Sequence, residues 1–155
     1  MALRAARAFF IFACLSLALW YGLKIEPVQK GEAAADPAAV ESAYREIALA
    51  IDSGKGDSVF LEVRKRSEKG PYQAAAYFFL GELAYGEGSY QQAMAHYRKA
   101  VEKGPYLADK NAPLGASGKI LAKIDALRNG PWKGQKPQGT ADLSYLLRRL
   151  SGGCE

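Results

Sequence analysis

His96 is the single histidine in this 155-residue chain, set between Ala95 and Tyr97. An imidazole can act as a general base or as one ligand of a metal ion, but each task needs company: a nucleophile within reach, or further His and Cys at ligand spacing. The two cysteines do not supply it. Cys14 lies inside an apolar run and Cys154 next to the C-terminal residue, a spacing that matches neither a CxxC pair nor a zinc set. GASGKI at residues 115–120 contains a Gly-Lys step. A phosphate-cradling loop also needs a glycine five residues before Gly118 and Ser or Thr after Lys119, where this chain has Pro113 and Ile120. Glu82 and Glu87 fall on a predicted helix surface and near a turn, the usual setting of solvated carboxylates. The reading is therefore a chain with no catalytic residues, no metal site and no cofactor, and not an enzyme.

Charge narrows the partner classes. The chain holds 21 Lys and Arg against 16 Asp and Glu, a net charge of +5. Residues 1–24 contain Arg4, Arg7 and Lys24 and no acid; residues 25–109 contain 10 basic and 13 acidic side chains; residues 110–155 contain 8 and 3. The cations stand singly instead of clustering as phosphate contacts do, which points away from nucleic acid.

Toward the N-terminus, residues 8–23 read AFFIFACLSLALWYGL, sixteen residues without a charge. At the helical rise that run spans about 24 Å, and Ala5, Ala6 and a snorkelling Arg7 extend it toward the ~30 Å hydrocarbon core of a bilayer. Trp20 and Tyr21 fall where an interfacial aromatic belt lies. Residues 1–24 are read as a signal-anchor transmembrane helix, meeting lipid through residues 5–23. Ala33-Ala34-Ala35 also offers a small-residue cleavage site before Asp36, so a cleaved signal peptide and an exported soluble product stand as the alternative. The stretch carrying Lys24, Glu26, Lys30 and Glu32 is long and charged for a cleavage region, which favours the anchor. The positive charges ahead of the run place the N-terminus in the cytosol and the folded part outside it, in a bacterium an inner-membrane anchor with a periplasmic domain.

The rest of the chain has a period. EKGPY occurs at residues 68–72 and again at 102–106, Leu80-Gly81 recurs as Leu114-Gly115, and Gly54 as Gly88, all with the same offset. A fixed period of about 34 residues is the first organising fact about the chain. Residues 25–36 read as a polar spacer. Asp36 then supplies an N-cap oxygen and Pro37 a first helical residue that needs no N–H. A helix over about 37–52 carries Val40, Tyr44, Ile47 and Ile51 at helical spacing. SGKGD breaks it, and Asp57 or Ser58 is expected to cap a second helix to about Lys69, with Val59, Phe60 and Val63 inward. EKGPY reads as the joint that stops each second helix.

The unit at residues 74–107 carries Tyr77, Leu80-Gly81, Gly88, Tyr90, Ala93, Tyr97, Ala100 and Pro105 at fixed intervals. In these positions it resembles a tetratricopeptide repeat. The flanking units are degenerate: in residues 40–73, Ile47 stands where the pattern has Gly81 and Arg66 where it has Ala100. The third unit keeps Leu114-Gly115 and a helix through Ile120, Leu121, Ile124 and Leu127, but Asn111 replaces the aromatic and Pro113 delays the helix. The resemblance covers residues 37–128. Residues 129–139 form a linker, and residues 140–151, capped by Thr140, an amphipathic helix with Leu143, Leu146, Leu147 and Leu150 on one stripe.

The expected fold class is all-α: a membrane helix, a short hairpin solenoid and a C-terminal capping helix. The resemblance implies binding of a protein client along a concave face built from the first helices, where Tyr44, Phe78, Glu82, Tyr85 and Lys119 are expected. It thus implies a membrane-anchored adaptor or assembly factor for an envelope complex, with a permanent structural subunit of a membrane complex as the alternative.

Overall fold

Asp36 begins the helical part of the chain: its Oδ1 accepts the Ala38 N–H at 3.1 Å, and Pro37 takes the first helical position. The computed structural model describes residues 35–134 and 139–152. The described residues are all helical, without a strand, and pack as α1 (Pro37–Asp52), α2 (Gly56–Lys69), α3 (Gln73–Gly86), α4 (Tyr90–Lys103), α5 (Ala116–Asn129) and α6 (Thr140–Leu150). Two 3-10 turns, Pro105–Ala108 and Pro113–Gly115, separate α4 from α5. The expected transmembrane helix lies outside the described residues. Among those that are described, no helix is long and apolar enough to cross a membrane.

The sequence period governs the first four helices. Both bounds of α2 recur one period later in α4, and the end of α1 recurs at the end of α3. The links hold Gly54 at φ +74° and Gly88 at φ +77°, left-handed positions where a side chain would be strained. Asp57 and Ser58 do not cap α2 as expected. The helix starts at Gly56 with Lys55 at the cap position, Asp57 and Ser58 both fall in its first turn, and Ser58 Oγ donates to the Lys55 carbonyl at 2.7 Å. On α2, Val63 is buried and Val59 half-buried, but Phe60 is 37% exposed, not inward. With the chain's first helices on one side only, α2 has less to pack against than α4.

EKGPY closes α2 at Lys69 and α4 at Lys103, and then the two copies diverge. After the first, Tyr72 adopts φ 57° and α3 starts at once. After the second, the chain makes the two 3-10 turns, and α5 starts only at Ala116. Leu114-Gly115 consequently is not a helix-packing pair. Leu80-Gly81 lies in the middle of α3, whereas Leu114 and Gly115 sit ahead of α5 at φ 64° and 62°. Pro113, with no N–H to give, delays the helix and moves the pair off its register. These turns bury Leu107, Ala112 and Pro113. The second packs on α1, where Glu41 Oε1 accepts the Leu114 N–H at 3.3 Å.

Beyond the longer link, α6 lies against α4 and, less extensively, α5. Its cap position falls on Gly139, one residue before the expected Thr140. Leu146 and Leu150 are buried and Leu143 and Leu147 half-buried. Arg98 on α4 fixes the seat: Nη1 meets Asp142 Oδ1 at 3.0 Å and the guanidinium lies 5.1 Å from the Tyr145 ring centroid.

Candidate functional site

The five residues expected along a client groove do not share one surface. Tyr44 and Phe78, equivalent positions one period apart, are both fully buried. The Tyr44 ring stacks on Phe79 at 5.3 Å between centroids, and its hydroxyl donates to the Tyr72 carbonyl at 3.2 Å. Phe78 meets Phe79 edge-on at 5.2 Å and lies 6.0 Å from Tyr97. Both are core residues and neither lines an open groove. The reason is the surroundings of their helices: α3 touches α1, α2 and α4, so nine of its 14 residues are buried, and α1 is covered further by the Pro113–Gly115 turn. Helical periodicity identifies an apolar face but not how many neighbours will cover it.

Glu82 and Tyr85, one turn further along α3, are brought together with a residue the sequence reading missed. Glu82 Oε1 accepts the Tyr97 hydroxyl at 2.6 Å, and its Oε2 lies 3.2 Å from Lys123 Nζ on α5. The same ammonium sits 4.5 Å from the Tyr85 ring centroid. One cation therefore ties α3 to α5 through a carboxylate and a π-face at once, in a part-buried setting where such contacts are screened less. Burial first, and then the Glu82 charge, push the Tyr97 hydroxyl far above its ordinary range. Burial, Tyr90 and Glu82 raise Tyr85 as well. Both tyrosines stay neutral donors near neutral pH, and Glu82, with both oxygens engaged, is an anchor instead of a free acid. Lys119 is exposed, one helical turn before Lys123 on α5, so its charge faces solvent along the same stripe.

An aromatic ledge continues from this tie. Tyr85 lies 5.3 Å from Tyr90, and Tyr90 meets Trp132 edge-on at 6.3 Å. A recess of about 560 Å³ opens beside it, lined by Gly88, Ser89, Tyr90, Gln91, Gln92 and Trp132. Trp132 sits in the stretch read as a linker. A tryptophan among Gly, Pro and Lys was the available signal, since a polar connection has no need of a large ring. Lys123 could have been found as the residue four after Lys119.

Among the described residues no group of three or more His, Cys, Asp and Glu could hold a metal ion. Cys14 and Cys154 lie outside the described residues. The arrangement offers half-exposed rings, one exposed cation and an engaged ion pair. No protein-family profile, curated protein or solved structure matches the chain.

Proposed function

We propose that this chain is a membrane-anchored adaptor of the tetratricopeptide kind that holds a protein client during assembly of an envelope complex. The carrying observation is the recurrence of helix bounds and link glycines once per period through α1–α4, with Gly56–Lys69 repeating as Tyr90–Lys103, which is the spacing of that repeat. The client surface in this reading is the ledge of Tyr85, Tyr90 and Trp132 with Lys119 beside it, since Tyr44 and Phe78 are spent on the core. Large half-exposed rings beside a charge are the usual anchors of protein interfaces. The apolar run at residues 8–23 supplies the anchor, with the folded part on the periplasmic side.

The test is a crosslinking pull-down of the full-length protein from detergent-solubilised membranes, comparing wild type with Tyr85→Ala/Trp132→Ala and with Lys119→Glu. Circular dichroism checks that each variant keeps its helices. Loss of one specific protein with the fold intact supports the ledge. Partners that persist unchanged on both variants overturn it. Recovery from the soluble fraction overturns the anchor instead. A stoichiometric partner that survives high salt would replace the adaptor by a permanent subunit.

A further inference from the structure

A second surface, which adds α2 to α3 and α4, has the chemistry of a peptide site. Asp57 and Phe60 of α2, Leu80 and Ala84 of α3, Glu87 after α3, and Gln92 and His96 of α4 enclose a groove of about 390 Å³. Its floor is apolar: Leu80 and Ala84 are close to fully buried, and the exposed Phe60 ring forms a wall. Its rim is acidic. Asp57 and Glu87 are both exposed, and neither has an ion-pair partner among the described residues.

His96 adds a directional group. Its Nδ1 is buried without a hydrogen-bond partner, and its ring lies 6.3 Å from Tyr77. A proton on Nδ1 would be an unsatisfied buried donor, more costly than a buried lone pair in that place, so the neutral ring carries its proton on Nε2. Burial and the charge of Lys99 both act against a second proton. The groove thus combines one fixed N–H donor, room for one or two large aliphatic side chains, and two carboxylates that lack cations.

We propose that this groove binds a polypeptide segment in which a Leu, Ile or Met is flanked by Arg or Lys. The aliphatic side chain fills the floor between Phe60, Leu80 and Ala84. The basic side chains meet Asp57 and Glu87, and a backbone carbonyl of the segment accepts from His96 Nε2. A basic occupant complements the charge of the site: the two rim acids are the uncompensated charges of the groove, and an acidic or phosphorylated segment would be repelled. Gln92 borders both this groove and the recess beside the ledge, but none of the rings of Tyr85, Tyr90 and Trp132 lines the groove, so either site can fail without the other.

A random dodecapeptide phage library selected on the full-length protein in detergent tests this. Selection is run in parallel on Asp57→Lys/Glu87→Lys and, as an uncharged probe of the floor, on Phe60→Ser. Enriched peptides should pair an aliphatic residue with Arg or Lys. As synthetic peptides they should bind wild type about tenfold or more tighter than either variant, the size of effect that two rim contacts or one buried side chain produces. Binding to Tyr85→Ala/Trp132→Ala should be unchanged. Enrichment of acidic peptides, equal binding to wild type and both groove variants, or no enrichment overturns the proposal. Concentration-dependent self-association of wild type that both groove variants abolish would also overturn it, by making the occupant a second copy of the chain.

Discussion

In the α3–α4 hairpin the helices approach at Gly81, where an added Cβ would run into the Tyr97 ring. The equivalent positions one period earlier, in the α1–α2 hairpin, are Ile47 and Val63, both buried. One hairpin places all the volume in a single ring laid on bare backbone, and the other divides it between two aliphatic side chains. The consequence is visible around each pair. α3 and α4 touch along much more of their length than α1 and α2 do, and between the latter a cleft of about 560 Å³ remains, lined in part by Ile47, Val59, Glu62 and Arg66. The ring also brings its hydroxyl to Glu82, and so to α5, a link that Val63 cannot make. Close packing in one hairpin is thereby coupled to the stacking of the next unit.

Exchanging the two solutions should break the tighter hairpin first. Gly81→Ile forces a branched side chain into the Tyr97 ring and is expected to cost about 3 kcal/mol or more, against about 1 kcal/mol for Ile47→Val. Adding Tyr97→Val to Gly81→Ile recreates the pair found in the first hairpin. Urea unfolding of the full-length protein in detergent should then show the double variant less destabilised than the sum of its parts by about 1 kcal/mol or more. Strict additivity would mean that the two positions do not share the volume assigned to them.

Tyr97→Phe keeps the ring and removes the hydroxyl bond to a charged partner, with an expected loss of about 2 kcal/mol at neutral pH. It also has a signature in alkali. The folded-state hydroxyl titrates well above the ordinary value of 10.0 because burial and the Glu82 carboxylate disfavour the phenolate. Above pH 10 the unfolded chain releases this proton and the folded chain keeps it, so wild-type stability falls as pH rises. Tyr97→Phe should fall less steeply over that range. Equal slopes would remove Tyr97 from the account.

These residues also mark how far the sequence could be read. The bounds of α1, the ends of α2 and α4 at EKGPY and the Asp36 cap follow from local chemistry: a capping oxygen, a proline at the first helical position, glycines at left-handed links. The all-helical class follows from apolar residues at helical spacing. What failed depends on neighbours remote in sequence. Tyr44 and Phe78 carry the same pattern as a groove residue would, and only the packing of α2, α4 and the Pro113–Gly115 turn decides that they are core. Leu114-Gly115 kept its spacing after its structural role had moved, because the proline before it reset the helix start. Lys123 and Trp132 join the site through contacts that cross from α5 and the link after it, and the local signals they carry, a helical spacing and an out-of-place ring, do not say what they touch.

A smaller effect sharpens the contrast from the looser side. Arg66 stands where the second hairpin has the buried Ala100, and it turns this excess length outward. Its Nη1 donates to the Ala43 carbonyl at 2.7 Å, its guanidinium lies 5.1 Å from the Tyr44 ring centroid, and Nε and Nη2 hold Glu62. The arginine is a strut across a joint that small residues close elsewhere. Arg66→Ala should cost about 1 kcal/mol, because the half-exposed contacts are replaceable by water. A loss as large as that of Tyr97→Phe would mean that the first hairpin depends on its strut as strongly as the second depends on its ring.

The smallest expected effect concerns His96, which takes the place in the second hairpin that Glu62 has in the first. Burial first, and the charge of Lys99 second, lower its pKa below the ordinary 6.5. At pH 7 the imidazole is mostly neutral in both the folded and unfolded chain and contributes little pH dependence. As pH falls through 6.5 the unfolded chain takes up a proton that the folded chain resists, so stability declines until the folded imidazole is protonated as well. The groups around it do not reverse this sign: Tyr77 and Lys99 offer no negative charge, and the Asp57 and Glu87 carboxylates line the solvent-open rim of the groove. His96→Gln should therefore lose less stability than wild type between pH 7 and pH 5, measured as the shift in urea midpoint. A variant with the same or a steeper loss would show that the unpartnered Nδ1 is not what sets the acid response of this hairpin.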